Sequence, residues 1–123
     1  MITGLILFAH GARDPRWREP FECLLHQVSS VHDGPVSLAF LESMSPSLIE
    51  AAKAVTQQGA GRVVVVPLFL AVGGHIRKDL PPLMEAAARA CGVPVSAAEP
   101  AGESTQVQSA LAAYCLDAAR STA

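Results

Sequence analysis

Ile2-Thr3-Gly4-Leu5-Ile6-Leu7-Phe8-Ala9-His10-Gly11-Ala12-Arg13 is a short, nearly continuous apolar run that stops at a histidine. Runs of that length and character are strands buried on both faces, which is the habit of parallel sheets. The same pattern returns twice. Val36 to Leu41 is a second apolar strand and ends on Glu42. Arg62-Val63-Val64-Val65-Val66-Pro67-Leu68-Phe69 is the strongest of the three, with four consecutive β-branched residues, and Pro67 marks its end or a bulge. Beyond it the chain runs through Gly73-Gly74 to His75.

Helical spacing fills the gaps between these strands. After Asp14-Pro15, residues Phe21, Leu24, Leu25 and Val28 recur at helical intervals, with Pro20 in the first turn. Ser45-Pro46 reads as the N-cap and first position of a second helix with Leu48, Ile49, Ala52 and Val55 inward. Asp79 reads as the cap of a third, with Pro81 and Pro82 in its first turn and Gly92 as its stop. Val93 to Ala97 is a weak edge strand, because Pro94 has no N–H to donate to a ladder. Ser104 starts a last helix that carries Val107, Leu111, Tyr114 and Cys115 on one face.

Four strand–helix repeats predict an α/β fold: a four-stranded parallel sheet with right-handed crossovers and helices on both faces. The 123 residues suffice for one domain, and no linker or repeat divides 1–123. Composition agrees. Half the residues are hydrophobic but only 5% are aromatic, which suits buried strands under small-residue helices. A formal charge of −2 argues against nucleic acid and anionic membranes as partners. The N-terminus lacks a signal-peptide pattern and no run is long enough to span a bilayer, so a cytoplasmic location is expected. Cys23, Cys91 and Cys115 lack zinc or redox spacing and are expected to be reduced thiols packed against helices.

Ligands of such sheets bind beyond the carboxyl ends of the strands, where strand order reverses. His10, Glu42 and the loop to His75 all leave the sheet at that end. If the first strand lies between the second and third, a strand spacing of roughly 5 Å brings His10 and Glu42 together. Imidazole and carboxylate are ordinary ligands of first-row transition metals, and three such groups leave coordination positions open for chemistry. His10, His75 and Glu42 are therefore the candidate metal ligands and proton acceptors. Arg13, Arg77 and Lys78 flank them and suit substrate carboxylates, for which arginine's fork is shaped. His26 and His32 read as surface or capping residues.

These residues also carry a resemblance. Leu7-Phe8-Ala9-His10-Gly11-Ala12-Arg13-Asp14-Pro15, Ala39-Phe40-Leu41-Glu42, Pro46-Ser47-Leu48, Val65-Val66-Pro67-Leu68-Phe69-Leu70 and Gly73-Gly74-His75-Ile76-Arg77-Lys78-Asp79-Leu80-Pro81 run in the order found in class II tetrapyrrole chelatases. The chain resembles the short sirohydrochlorin cobaltochelatases among them. Ala12 stands where that family often has serine, and the histidine-rich segment of some relatives is absent. The resemblance implies ATP-independent insertion of a divalent metal into sirohydrochlorin, with Co²⁺ favoured, Fe²⁺ next and Ni²⁺ also acceptable. It implies no cofactor beyond that metal. It assigns the metal and the expelled pyrrole protons to His10, His75 and Glu42, and carboxylate contacts to Arg13, Arg77 and Lys78. Apolar Phe40, Leu68, Phe69 and Leu70 could lie against the ring. Larger relatives hold two such domains in tandem, so the short form is expected to pair as a homodimer.

The chain has no phosphate-binding loop, as an ATP-independent reaction requires. Histidine must be neutral to ligate metal, so insertion should weaken below about pH 6. Two other functions fit parts of the pattern: a metal or tetrapyrrole carrier without turnover, and a histidine phosphatase. The phosphatase requires arginine immediately before its histidine, where this chain has Ala9.

Overall fold

The computed structural model describes residues 1–121. Its strands are β1 (Thr3–Ala9), β2 (Val36–Phe40), β3 (Arg62–Pro67) and β4 (Val95–Ala97). They form one parallel sheet in the order β2-β1-β3-β4. The helices are α1 (Glu19–Ser29), α2 (Leu48–Gln57), α3 (Gly74–Cys91) and α4 (Thr105–Ser121), with 3-10 turns at Pro15–Arg18 and Ala101–Glu103. The expected α/β architecture is present, with β1 between β2 and β3.

Two apolar layers enclose the sheet. On one face Ile6, Phe8, Ala39, Val63 and Val65 pack with the inner residues of α2 and α3, such as Ala52, Val55, Met84 and Ala87. On the other, Leu7, Ala9, Leu38 and Phe40 meet Trp17, Phe21, Leu24 and Val28. Phe8, Phe40, Ile6, Val55, Val63 and Val65 are among the largest fully buried side chains. Gly4 is required where β1 passes α2, because a Cβ there would press on Val55 and Ala60.

Both inner helices start elsewhere than the sequence suggests. α2 begins at Leu48 with Ser47, not Ser45, as its N-cap. Ser47 Oγ accepts the Glu50 N–H at 3.2 Å while Glu50 Oε1 accepts the Ser47 N–H at 2.8 Å. That reciprocal box satisfies two donors at once, more than Ser45 with a following proline can offer. α3 begins five residues before Asp79, with Gly73 at its N-cap, so Asp79, Pro81 and Pro82 lie inside the helix. Prolines in a helix interior cannot donate to the carbonyls four residues back, here those of Arg77 and Lys78. The first turn of α3 is thus tied weakly to the rest, and Gly92 closes the helix in the left-handed conformation.

The cysteines also differ from expectation: Cys23 and Cys115 are exposed and only Cys91 is partly covered. α4 differs more. No residue of it is buried, and its expected inner face is open, with Tyr114 at 71% exposure.

Candidate active site at the carboxyl end of the sheet

The β1–β2 ladder continues one step past the strands. The Leu41 N–H donates to the Ala9 carbonyl at 2.9 Å and the Glu42 N–H to the His10 carbonyl at 3.1 Å. This register sets the two side chains beside each other, and His10 Nε2 meets Glu42 Oε1 at 2.8 Å. Gly11 makes the approach possible. Its φ is +94°, and a Cβ there would overlap the Glu42 carbonyl oxygen. Glycine is needed on both counts. An ionised carboxylate only accepts, so His10 Nε2 carries the proton in this pair and the neutral ring keeps its lone pair on Nδ1. Phe69 supports the other side of the ring, edge-on, with centroids 6.2 Å apart.

His75 sits on the first turn of α3 rather than in a loop, and it is 94% exposed. Its Nε2 lies 3.4 Å from Asp79 Oδ2, one helical turn on. The structure therefore provides two histidine–carboxylate pairs, where the sequence suggested a single trio. Among the described residues, no three His, Cys, Asp or Glu side chains gather closely enough to hold one metal ion.

An apolar cavity of about 270 Å³ lies beside both pairs, lined by Leu41, Phe69, Ile76, Asp79, Leu80 and Leu83 among others. Leu41 adjoins Glu42 in sequence, Phe69 touches the His10 ring, and Asp79 holds His75. A smaller recess of about 150 Å³ shares Phe8, Leu41 and Leu83 with it. Of the apolar residues expected near a ring, Phe69 lines the cavity. Phe40 is buried under Trp17 and Arg18, and Leu70 points outward at 66% exposure.

The flanking cations take different positions. Arg13 and Lys78 are exposed. Arg77 is engaged with Glu103 at 2.8 Å, which ties the first turn of α3 to the 3-10 turn before α4. Arg16, not singled out by the sequence, forks onto Asp14. That hydrogen bond, with a second from the Arg16 N–H, holds the Asp14 carboxyl below the usual range. Asp79 and Gly102 are parts of the site that the sequence reading does not single out. The i,i+4 spacing of His75 and Asp79 was the available signal for the first. Nothing local marks Gly102, whose N–H donates to the Phe69 carbonyl at 2.9 Å.

Fold and site together define a parallel α/β domain that sets histidine–carboxylate pairs beside an apolar cavity at the carboxyl end of its sheet. The chain belongs to the CbiX family, whose model matches residues 4–118. A sirohydrochlorin cobaltochelatase of Sulfurisphaera tokodaii is 32% identical over 104 residues, 82% of this chain and 81% of that protein. One of Methanopyrus kandleri is 33% identical over 84 residues, which are 68% of this chain but only 59% of the relative. Among solved structures, a cobalamin (vitamin B12) biosynthesis CbiX protein from Marinobacter aquaeolei VT8 superposes with a TM-score of 0.86 at 34% identity. That match covers 96% of this chain and 98% of the other. The sirohydrochlorin chelatase SirB of Bacillus subtilis subspecies spizizenii, in complex with cobalt, gives 0.77 at 26% identity, covering 95% of this chain and 51% of SirB.

Proposed function

We propose that this chain is a chelatase that inserts a divalent metal into sirohydrochlorin without ATP, in cobalamin or siroheme synthesis. The observation that carries the reading is the His10–Glu42 pair at 2.8 Å beside the apolar cavity. Cobalt is the favoured metal and ferrous iron the next, in line with relatives described as cobaltochelatases and SirB structures with cobalt and with Fe³⁺.

Insertion replaces two pyrrole N–H protons by one M²⁺, so the site must present the metal and receive protons. His10 docks the metal through Nδ1 while Glu42 holds the ring in place, the usual service of a carboxylate behind a ligating imidazole. Glu42 and His10 then take up protons leaving the macrocycle, as neutral imidazole and carboxylate can near neutral pH. His75, with Asp79, offers a second docking point across the cavity. Two-donor stations suit a metal that must be handed on, since a closed cage would retain it. The apolar lining takes the face of the macrocycle. Arg13, Lys78 and Arg77, the last after leaving Glu103, orient peripheral carboxylates. The same reading takes the chain as one chelatase-like domain that works as a homodimer in the cytoplasm, a setting that suits its free cysteines.

Anaerobic metallation of sirohydrochlorin, followed by its visible spectrum, tests this. Co²⁺, Fe²⁺ and Ni²⁺ are compared with and without protein. Acceleration over the spontaneous rate is expected, fastest with Co²⁺. Tight binding of metal or macrocycle without acceleration would leave a carrier instead.

A further inference from the structure

α3 is one helix in shape but two in its backbone bonding. Each helical N–H donates to the carbonyl four residues back. Pro81 and Pro82 have none to give, so the Arg77 and Lys78 carbonyls lose the two bonds that would span this joint. Residues 74–80, upstream of the joint, form a turn with little else to hold it. From Gly73 to Asp79 only Ile76 is half-buried, and every other residue is exposed. Leu80, at the far end, is buried and is the natural pivot. A Cβ on Gly73 or Gly74 would meet nothing within 4 Å, so the turn has open space on its upstream side.

One polar contact ties the side chains of this turn to another element. Arg77 Nη2 donates to Glu103 Oε1 at 2.8 Å. Among the described residues, the turn's other side-chain pairing is internal, His75 with Asp79 at 3.4 Å. Glu103 stands on a fixed post. The Gly102 N–H beside it donates to the Phe69 carbonyl, and Gly102 packs directly on Leu70. The turn also forms one wall of the cavity of about 270 Å³, which Ile76, Asp79 and Leu80 line together with Leu41 and Phe69.

We infer that residues 74–80 are a lid, pivoting at Leu80, Pro81 and Pro82, which the Arg77–Glu103 pair latches open. Glu103 occupies Arg77 in the empty site as a stand-in for a carboxylate of the ligand. A ligand carboxylate that takes its place keeps the arginine fork paired and removes the tie to the 3-10 turn. The lid is then free to bring His75 and Ile76 down on the ligand. Glu103 thus sets affinity without touching the ligand. Apparent affinity is reduced by the fraction of molecules in which Arg77 is free. The carboxylate-bearing ligand rests on the chelatase reading above, whereas the hinge and latch rest on the helix backbone and the ion pair.

Amide hydrogen exchange of the intact chain, read by mass spectrometry, tests the lid without any ligand. Glu103→Gln should speed exchange across residues 74–80 by about 2–5-fold, the reach of an exposed ion pair, and leave β1 and α2 unchanged. Pro81→Ala/Pro82→Ala, which restores both N–H donors, should slow it. Unchanged exchange in the first variant overturns the latch, and in the second the hinge. Fluorescence titration with metal-free sirohydrochlorin tests the swap of carboxylates. Glu103→Gln should bind it about 2–5-fold more tightly, and the gain should vanish in an Arg77→Gln background. An unchanged affinity, or a gain that persists without Arg77 as a bulk charge effect, overturns the stand-in. A wild type that binds no sirohydrochlorin overturns the stand-in together with the chelatase reading, while hydrogen exchange still decides the lid.

Discussion

Gly11 and Glu42 show how much of this site depends on single residues. The candidate pair forms because β1 and β2 stay in register one residue past their ends and because position 11 has no side chain. Gly11→Ala would force an alanine into the left-handed region and into the Glu42 carbonyl. A loss of about 1–3 kcal/mol is expected in urea denaturation, along with loss of the His10–Glu42 hydrogen bond. Glu42→Gln preserves size but weakens the hold on the ring. It should slow metallation by about 10–100-fold, the usual cost of removing a carboxylate behind a ligating histidine, with little change in stability because the pair is exposed. At this scale the sequence was informative. His10 and Glu42 were recognisable from their places at strand ends, and only β1's central position was needed to join them. His75's pairing with Asp79 was obscured by reading Asp79 as a cap.

The helix starts were the least legible elements, for a physical reason. Serine and proline mark helix entry at several positions, and the choice among them depends on which polar groups meet. Ser45-Pro46 and Ser47 compete for α2, and Glu50 decides for Ser47 by closing the box. Likewise Pro81 and Pro82 argue for a first turn, yet α3 extends upstream of both. Ser47→Ala should destabilise the fold by about 1 kcal/mol. The box is also pH-dependent. Hydrogen bonds from Ser47, backbone first, hold the Glu50 carboxyl below its ordinary value of 4.5. A carboxyl lowered in the folded state stabilises above its unfolded value and loses that contribution as pH falls through its folded one. The stability gap between wild type and Glu50→Ala should therefore be full at neutral pH and shrink in acid below the ordinary glutamate range, as thermal melts would show.

The parallel sheet with helices on both faces followed from alternating strand and helix patterns, because crossover handedness leaves few alternatives, whereas the order β2-β1-β3-β4 comes from the structure, the sequence offering β1 between β2 and β3 only as a condition. What the pattern could not place was α4. Its apolar stripe predicts an inner face, yet no residue of the helix is buried. The C-terminal segment also bears on the site over a long span of sequence. Gly102 packs so closely on Leu70 that a Cβ would overlap that residue's carbonyl, and its N–H fixes Phe69 beside His10. Gly102→Ala should cost about 1–3 kcal/mol and slow metallation by displacing Phe69. Glu103→Gln, which breaks only an exposed ion pair with Arg77, should change stability by about 0–1 kcal/mol. Denaturation and metallation of the two variants side by side separate a steric brace from a charge contact.

The central claim is that His10 handles metal and protons at the carboxyl end of this sheet. It is tested most directly by the anaerobic rate of Co²⁺ insertion into sirohydrochlorin by wild type and by His10→Ala at matched folded concentration. The account predicts a loss of roughly 10²–10⁴-fold, the range for removing a positioned proton-transfer group. A His10→Ala variant that inserts cobalt at the wild-type rate would contradict it.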